Sequence, residues 1–156
     1  KTPRLLLIVG LGLALLSAPP AALAQQPGKV YRIGFLSPGG PEQDSSLWAP
    51  LRDALRERGW AEGQNLAFER RYAEGNYDRL PELAAELVRL KLDLVVARGG
   101  PAALAAKRAT ATIPIVTWST TDPVGIGLVA SLARPGGNIT GLSDDPGPEV
   151  VGKRLQ

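Results

Sequence analysis

The stretch from Asp93 to Lys107, DLVVARGGPAALAAK, constrains this chain more than any other. A parallel strand buried on both faces reads as a short apolar run, and Leu94, Val95, Val96 and Ala97 form one that Arg98, Gly99 and Gly100 end at once. Pro101 then stands where a helix tolerates proline best, in its first turn, and the alanines after it have the highest helix propensity of any residue. The pattern predicts a strand, a tight glycine turn and a helix N-terminus. Such a junction aims unpaired backbone N–H groups and the positive end of a helix dipole beyond the sheet, where absent side chains let a ligand approach the backbone. It is suited to an anion or a carboxylate. A doubly wound fold also needs a turn of this kind after each strand, so these residues alone leave both readings open.

Composition narrows the chemistry. With 156 residues, 44% of them hydrophobic, the chain can bury one sizeable core. Its formal charge of +3 includes Lys1 and Arg4 of an N-terminal export segment; without them 16 basic residues face 15 acidic ones. The remaining arginines alternate with carboxylates along a helix, as in Arg52, Asp53, Arg56, Glu57 and Arg58, which is a solvated face and not a phosphate-tracking stripe. No nucleic-acid partner is expected. The absence of cysteine and histidine removes the thiolate nucleophile, the commonest general base and the commonest metal ligands, and lowers the expectation of an enzyme. No cofactor or metal is expected.

Residues 1–24 have the layout of a signal peptide. Lys1 and Arg4 precede the apolar run Leu5 to Leu16, Pro19 and Pro20 interrupt it, and Ala22-Leu23-Ala24 supplies a small-x-small cleavage pattern. The run is too short for a membrane anchor, which needs about 20 apolar residues, so the expected location is the periplasm. Val30 to Leu36 reads as a first strand, followed by the irregular Ser37-Pro38-Gly39-Gly40-Pro41. Leu47, Leu51, Ala54 and Leu55 then recur at helical spacing, with Asp44 or Ser45 as the N-cap and Gly59 as the stop. Asn65 to Tyr72 reads as a second strand whose charged Glu69, Arg70 and Arg71 predict an edge position. Leu80, Leu83, Ala84, Leu87 and Val88 give the strongest helical periodicity in the chain. Beyond the central strand and its helix, Ile113 to Thr117 reads as a fourth strand, Trp118 to Pro123 as a loop, Val124 to Leu132 as a helix and Asn138 to Leu142 as a fifth strand.

Strands alternating with helices predict an α/β fold, a doubly wound, parallel five-stranded sheet with right-handed crossovers. Ligands on such sheets bind beyond the carboxyl ends of the strands. Three loops lie there: Ser37 to Pro41, Arg98 to Ala102 and Ser119 to Pro123. They hold glycines, hydroxyls and one carboxylate without a catalytic constellation, as one jaw of a two-lobed binder would. The candidate ligand-binding residues are Ser37, Gly99, Gly100, Ala102, Ala103, Thr121 and Asp122, the last being either a helix cap or an acceptor for a ligand ammonium or hydroxyl. A flavodoxin-like enzyme would need a loop aromatic to stack on its cofactor, and Trp118 is the sole candidate.

The segments VYRIGFLSPG, LRDALRERGWAEGQNLAFERRYAEGNYDRLPELAAELV, PAALAAKRATATIPIV, DPVGIGLVASLARPGGNITGLS and GKRL resemble the ABC transporter substrate-binding protein family that includes the tryptophan- and tyrosine-binding members. The resemblance covers almost all of the chain after residue 24. It implies a periplasmic-binding-protein-like fold of two α/β lobes that close on a small organic ligand, an amino acid being one candidate, and deliver it to a membrane permease. Residues 25–143 would then be the first lobe, and 144–156 a linker and the incomplete start of the second. The expected protein is a monomer and not an enzyme; the rival is a periplasmic sensory domain that reports the same ligand to a signalling partner. Many relatives have serine or threonine immediately before the Pro-Ala-Ala, where this chain has Gly100, so the ligand contacts at this turn would rest on backbone amides.

Overall fold

The computed structural model describes residues 28–144. The expected export segment and the helix expected from Glu149 lie outside the described residues. Five strands, β1 (Tyr31–Ser37), β2 (Leu66–Tyr72), β3 (Leu94–Arg98), β4 (Ile115–Thr120) and β5 (Ile139–Ser143), form one parallel sheet in the order β2-β1-β3-β4-β5. Three α-helices connect them: α1 (Ser45–Glu57), α2 (Leu80–Arg89) and α3 (Gly99–Ala109). The chain runs from β1 to β2 in one direction and from β3 to β5 in the other, so the strand order reverses between β1 and β3.

Successive strand residues face opposite sides of the sheet. On one side Leu36, Val95, Ala97 and Ile115 meet Leu80, Leu83, Ala84 and Leu87 of α2 and Ala102, Ala103, Ala105 and Ala106 of α3 in one buried cluster. The alanines bring α3 close to the sheet, and the periodic leucines of α2 fill the space beside it. On the other side α1 packs through aromatic rings. Phe35 lies 4.7 Å from Trp48 and 5.7 Å from Trp118, and Trp48 lies 5.4 Å from Phe68, in edge-on and stacked arrangements. Helices on both faces make the sheet doubly wound, as the order of elements predicts.

The charges of β2 behave as edge charges. Glu69 pairs with Arg32, Arg70 with Glu62 and stacks over Trp48, and Arg71 pairs with Glu86 of α2. Two expectations are corrected. First, β4 does not stop at Thr117: Trp118 stacks on Phe35, and the Thr117 and Thr120 hydroxyls lie 2.8 Å apart, so a strand containing an irregularity continues through the hydroxyl run. Second, Val124 to Leu132 is not a helix. Asp122 (φ +45°) and Gly127 (φ +70°) take left-handed conformations at either end of one tight turn, and the N–H groups of Leu128 and Val129 both return to the Pro123 carbonyl, so no helical ladder propagates. Leu128 nevertheless joins the core, as its spacing implies.

Candidate ligand-binding site

The carboxyl ends of β1, β3 and β4 meet where the strand order reverses, and a recess of about 400 Å³ opens there. Its floor is the turn from β3 into α3: Arg98, Gly99, Gly100 and Pro101. Pro38 after β1 lines one side, and Ser119 and Thr121 from the end of β4 line another. Tyr77, Leu104 and Ile126 add apolar surface, with Tyr77 and Ile126 substantially exposed. A wider groove of about 540 Å³ lies beside α1 at the amino ends of the strands, lined by Ile33, Leu55, Trp60, Leu66 and Leu94 among others. It lacks the glycine turn and its donors.

The glycines of the turn do different work. Gly99 has φ +74°, a left-handed conformation that a residue with a Cβ adopts only at a cost, and this lets the chain leave β3 and enter the helix without an intervening loop. Gly100 has an ordinary φ, but a Cβ there would lie 3.0 Å from Ile126 Cδ1, in the recess. The helix starts at Gly99 and not at Pro101, so Pro101 remains within its first turn. This shift changes which donors are available. The i→i−4 ladder leaves the amides of Gly99 and Gly100 outside it, the first of them at the end of the β3–β4 register, whereas those of Ala102 and Ala103 fall inside it. Both alanine side chains are fully buried in the core.

The other sequence candidates divide in the same way. Thr121 lines the recess. Ser37 is fully buried at the end of β1, where its Oγ accepts a hydrogen bond from Gly39 N at 3.2 Å and shapes the adjoining loop. The Asp122 carboxylate accepts from Gly125 N at 2.8 Å and so closes a tight turn, with no helix following it to cap, and it does not line the recess. Trp118 belongs to a strand and packs on Phe35. Ser119 takes the left-handed region (φ +57°) and its Oγ donates to Asp144 at 2.6 Å, tying the end of β4 to the residue after β5.

Sequence reasoning did not single out the Arg98–Asp44 pair. Asp44 occupies the N-cap position of α1, as expected, but makes no side-chain capping bond. Its carboxylate is 1% exposed and accepts from Arg98 Nη1 at 2.5 Å, across 54 residues of sequence. An arginine ending a buried strand is the local signal that a partner exists; nothing local names Asp44.

The sequence matches the family described as ABC transporter substrate binding protein over residues 44–149. Among curated proteins, it is 41% identical over 91 residues to a tyrosine-binding protein of Clostridioides difficile, a match covering 58% of this chain and 26% of that one. Three relatives of solved structure share the fold. A conserved domain protein of Vibrio cholerae is 35% identical with a TM-score of 0.70, covering 81% of this chain and 43% of that one. The ligand-free, open structure of a substrate binding protein with adhesive properties from Clostridium difficile is 30% identical with a TM-score of 0.70, covering 77% and 41%. An ABC domain from Streptococcus pneumoniae in complex with L-Trp is 31% identical with a TM-score of 0.66, covering 74% and 39%. The chain therefore spans about a quarter of the curated relative and about two-fifths of the solved ones.

Proposed function

The chain belongs to the ABC transporter substrate binding protein family, and on that premise we propose that it forms one jaw of an exported solute-binding protein. This protein captures a small organic ligand, an amino acid, between two lobes and hands it to a membrane ABC permease. The observation that carries the reading is the recess at the strand-order reversal, open to one side and furnished with a glycine turn at a helix N-terminus, hydroxyls and an apolar rim. The relatives' names add the ligand class: one binds tyrosine and another was crystallised with L-Trp. An aromatic side chain suits the surface offered by Tyr77, Leu104 and Ile126.

In this mechanism the ligand's polar end docks on the turn at Gly99 and Gly100 with help from Thr121, while Ser37, Ala102, Ala103 and Asp122 shape the loops and helix that hold those groups. A second lobe closes over the exposed side, and the closed state is the one the permease reads. The protein acts as a monomer in the periplasm, is not an enzyme, and needs neither cofactor nor nucleic acid. The sensory rival would use the same jaw, but the family and its relatives favour transport. The test is a thermal-shift panel of L-amino acids on the intact gene product. L-tyrosine or L-tryptophan at a hundredfold excess over its Kd raises the melting temperature by roughly 5 °C or more. A panel in which no amino acid shifts melting refutes the ligand class.

A further inference from the structure

We propose that Arg98 is the specificity-determining cation of the recess, selecting ligands with a free carboxylate, and that Asp44 is the positioning residue that holds it there. This inference rests on the solute-binding reading above. Arg98 is the last residue of the central strand, and among the described residues it is the sole charged side chain lining the recess. Its side chain is 36% exposed, whereas that of Asp44 beneath it is 1% exposed. A buried carboxylate is tolerated only when paired, so Asp44 fixes the guanidinium through Nη1 and leaves it little freedom to turn away.

A guanidinium carries five N–H donors in one plane. Only Nη1 is engaged by a protein acceptor among the described residues, and Nε and Nη2 remain available. Arg98 immediately precedes the glycine turn that opens the eleven-residue helix α3, and both line the recess. Planar donors in a fixed orientation match the two oxygens of a carboxylate, and pre-organisation removes the ordering cost that a free arginine would meet on binding. Because Asp44 already balances the guanidinium's charge, discrimination comes from short-range, charge-assisted hydrogen bonds and not from long-range attraction. The nearby acids do not compete: Asp122 accepts from Gly125 N and Asp144 from Ser119 Oγ. The selected feature is thus the free carboxylate; an amide or ester of the same compound would bind poorly.

The test uses the intact gene product and calorimetry on matched acid and amide pairs: L-tryptophan with L-tryptophanamide, L-tyrosine with L-tyrosinamide, and indole-3-propionate with its amide. In the unaltered protein the acid binds roughly thirtyfold or more tightly than its amide. Arg98→Gln reduces that ratio to below about threefold, Asp44→Asn lowers it part of the way, and in both variants the amide's own affinity barely changes. A merely structural role would weaken acid and amide alike. Since Arg98→Gln strands a buried carboxylate, the double variant Asp44→Asn/Arg98→Gln carries the measurement if the single one does not fold. An undiminished ratio without Arg98, or amides bound as tightly as acids by the unaltered protein, overturns the proposal. If indole-3-propionate shows the discrimination and no amino acid binds, the amino-acid reading fails while the role of Arg98 stands; if no pair binds, both fall.

Discussion

The two glycines at the floor of the recess should respond oppositely to the same substitution. In Gly99→Ala the new Cβ would meet nothing closer than Ser119 O at 3.7 Å, so sterics beyond the residue itself are ordinary. The backbone is the difficulty. At φ +74° an L-residue is disfavoured by about 1 to 2 kcal/mol, partly offset by about 0.4 to 1 kcal/mol from a less flexible unfolded chain. The expected net loss is about 1 kcal/mol, a fall in melting temperature of about 4 °C for a domain of this size. Gly100→Ala lacks the φ penalty and gains up to about 1 kcal/mol of helix propensity, less in a first turn. Its Cβ would press on Ile126 Cδ1 at 3.0 Å, the end of a flexible and partly exposed side chain that can rotate away. Stability should stay within about 0.5 kcal/mol of the parent, but the methyl group stands where a ligand would approach, and affinity should fall at least about tenfold. Thermal or urea denaturation of the intact protein, with calorimetry on the same samples, separates the effects. A Gly99→Ala protein as stable as the parent, or a Gly100→Ala protein that binds normally, would refute the reasoning.

Asp122→Asn keeps an oxygen that can accept from Gly125 N, so melting and ligand affinity should both stay near the parent's, while Asp122→Ala should lose about 1 kcal/mol of stability with affinity intact. A tenfold affinity loss in Asp122→Asn would instead place its charge on the ligand. At the amino end of the sheet, the hydrogen bond from Lys29, followed by that from Arg32 N, holds the Asp93 carboxyl below its ordinary pKa, and the same bond raises Lys29. The depressed carboxyl contributes stability above its unfolded pKa, and this is lost as pH falls through the lower folded value; the Lys29 share is present below the ordinary lysine value and lost as pH rises past the folded one. Urea midpoints measured from about pH 2 to 5 should therefore rise less steeply in Asp93→Asn, and identical profiles would exclude the pair as a contributor.

Much of this architecture is written in local pattern. Leu80, Leu83, Ala84 and Leu87 share one helical face and are buried together, and the run Leu94 to Ala97 is the central strand. Glu69, Arg70 and Arg71 marked an edge because a central strand could not have satisfied three adjacent charges, and each finds a partner at the edge. The pattern misled where tertiary contacts override composition. Trp118, Ser119 and Thr120 read as loop because they open a run of hydroxyls that ends in Asp122-Pro123, yet ring stacking on Phe35 and the hydroxyl contact with Thr117 hold them in a strand. Val124, Leu128, Val129 and Leu132 have helical spacing, but the Asp122 turn and the left-handed Gly127 use the backbone donors first. Of the candidate site, the glycine turn was legible because φ and steric demands are local. The Arg98–Asp44 pair was not, because an ion pair spanning 54 residues leaves no mark on either neighbourhood beyond an arginine where an apolar residue would be expected.

The central claim, that this chain is one jaw of a two-lobed binder, is tested most directly by calorimetry of one amino-acid ligand against residues 25–156 and against the intact gene product. A single jaw leaves half of the ligand in water, whereas a complete pocket buries most of its surface. The account predicts an affinity for residues 25–156 at least about a hundredfold weaker than for the intact protein. Equal affinity in the two would contradict it.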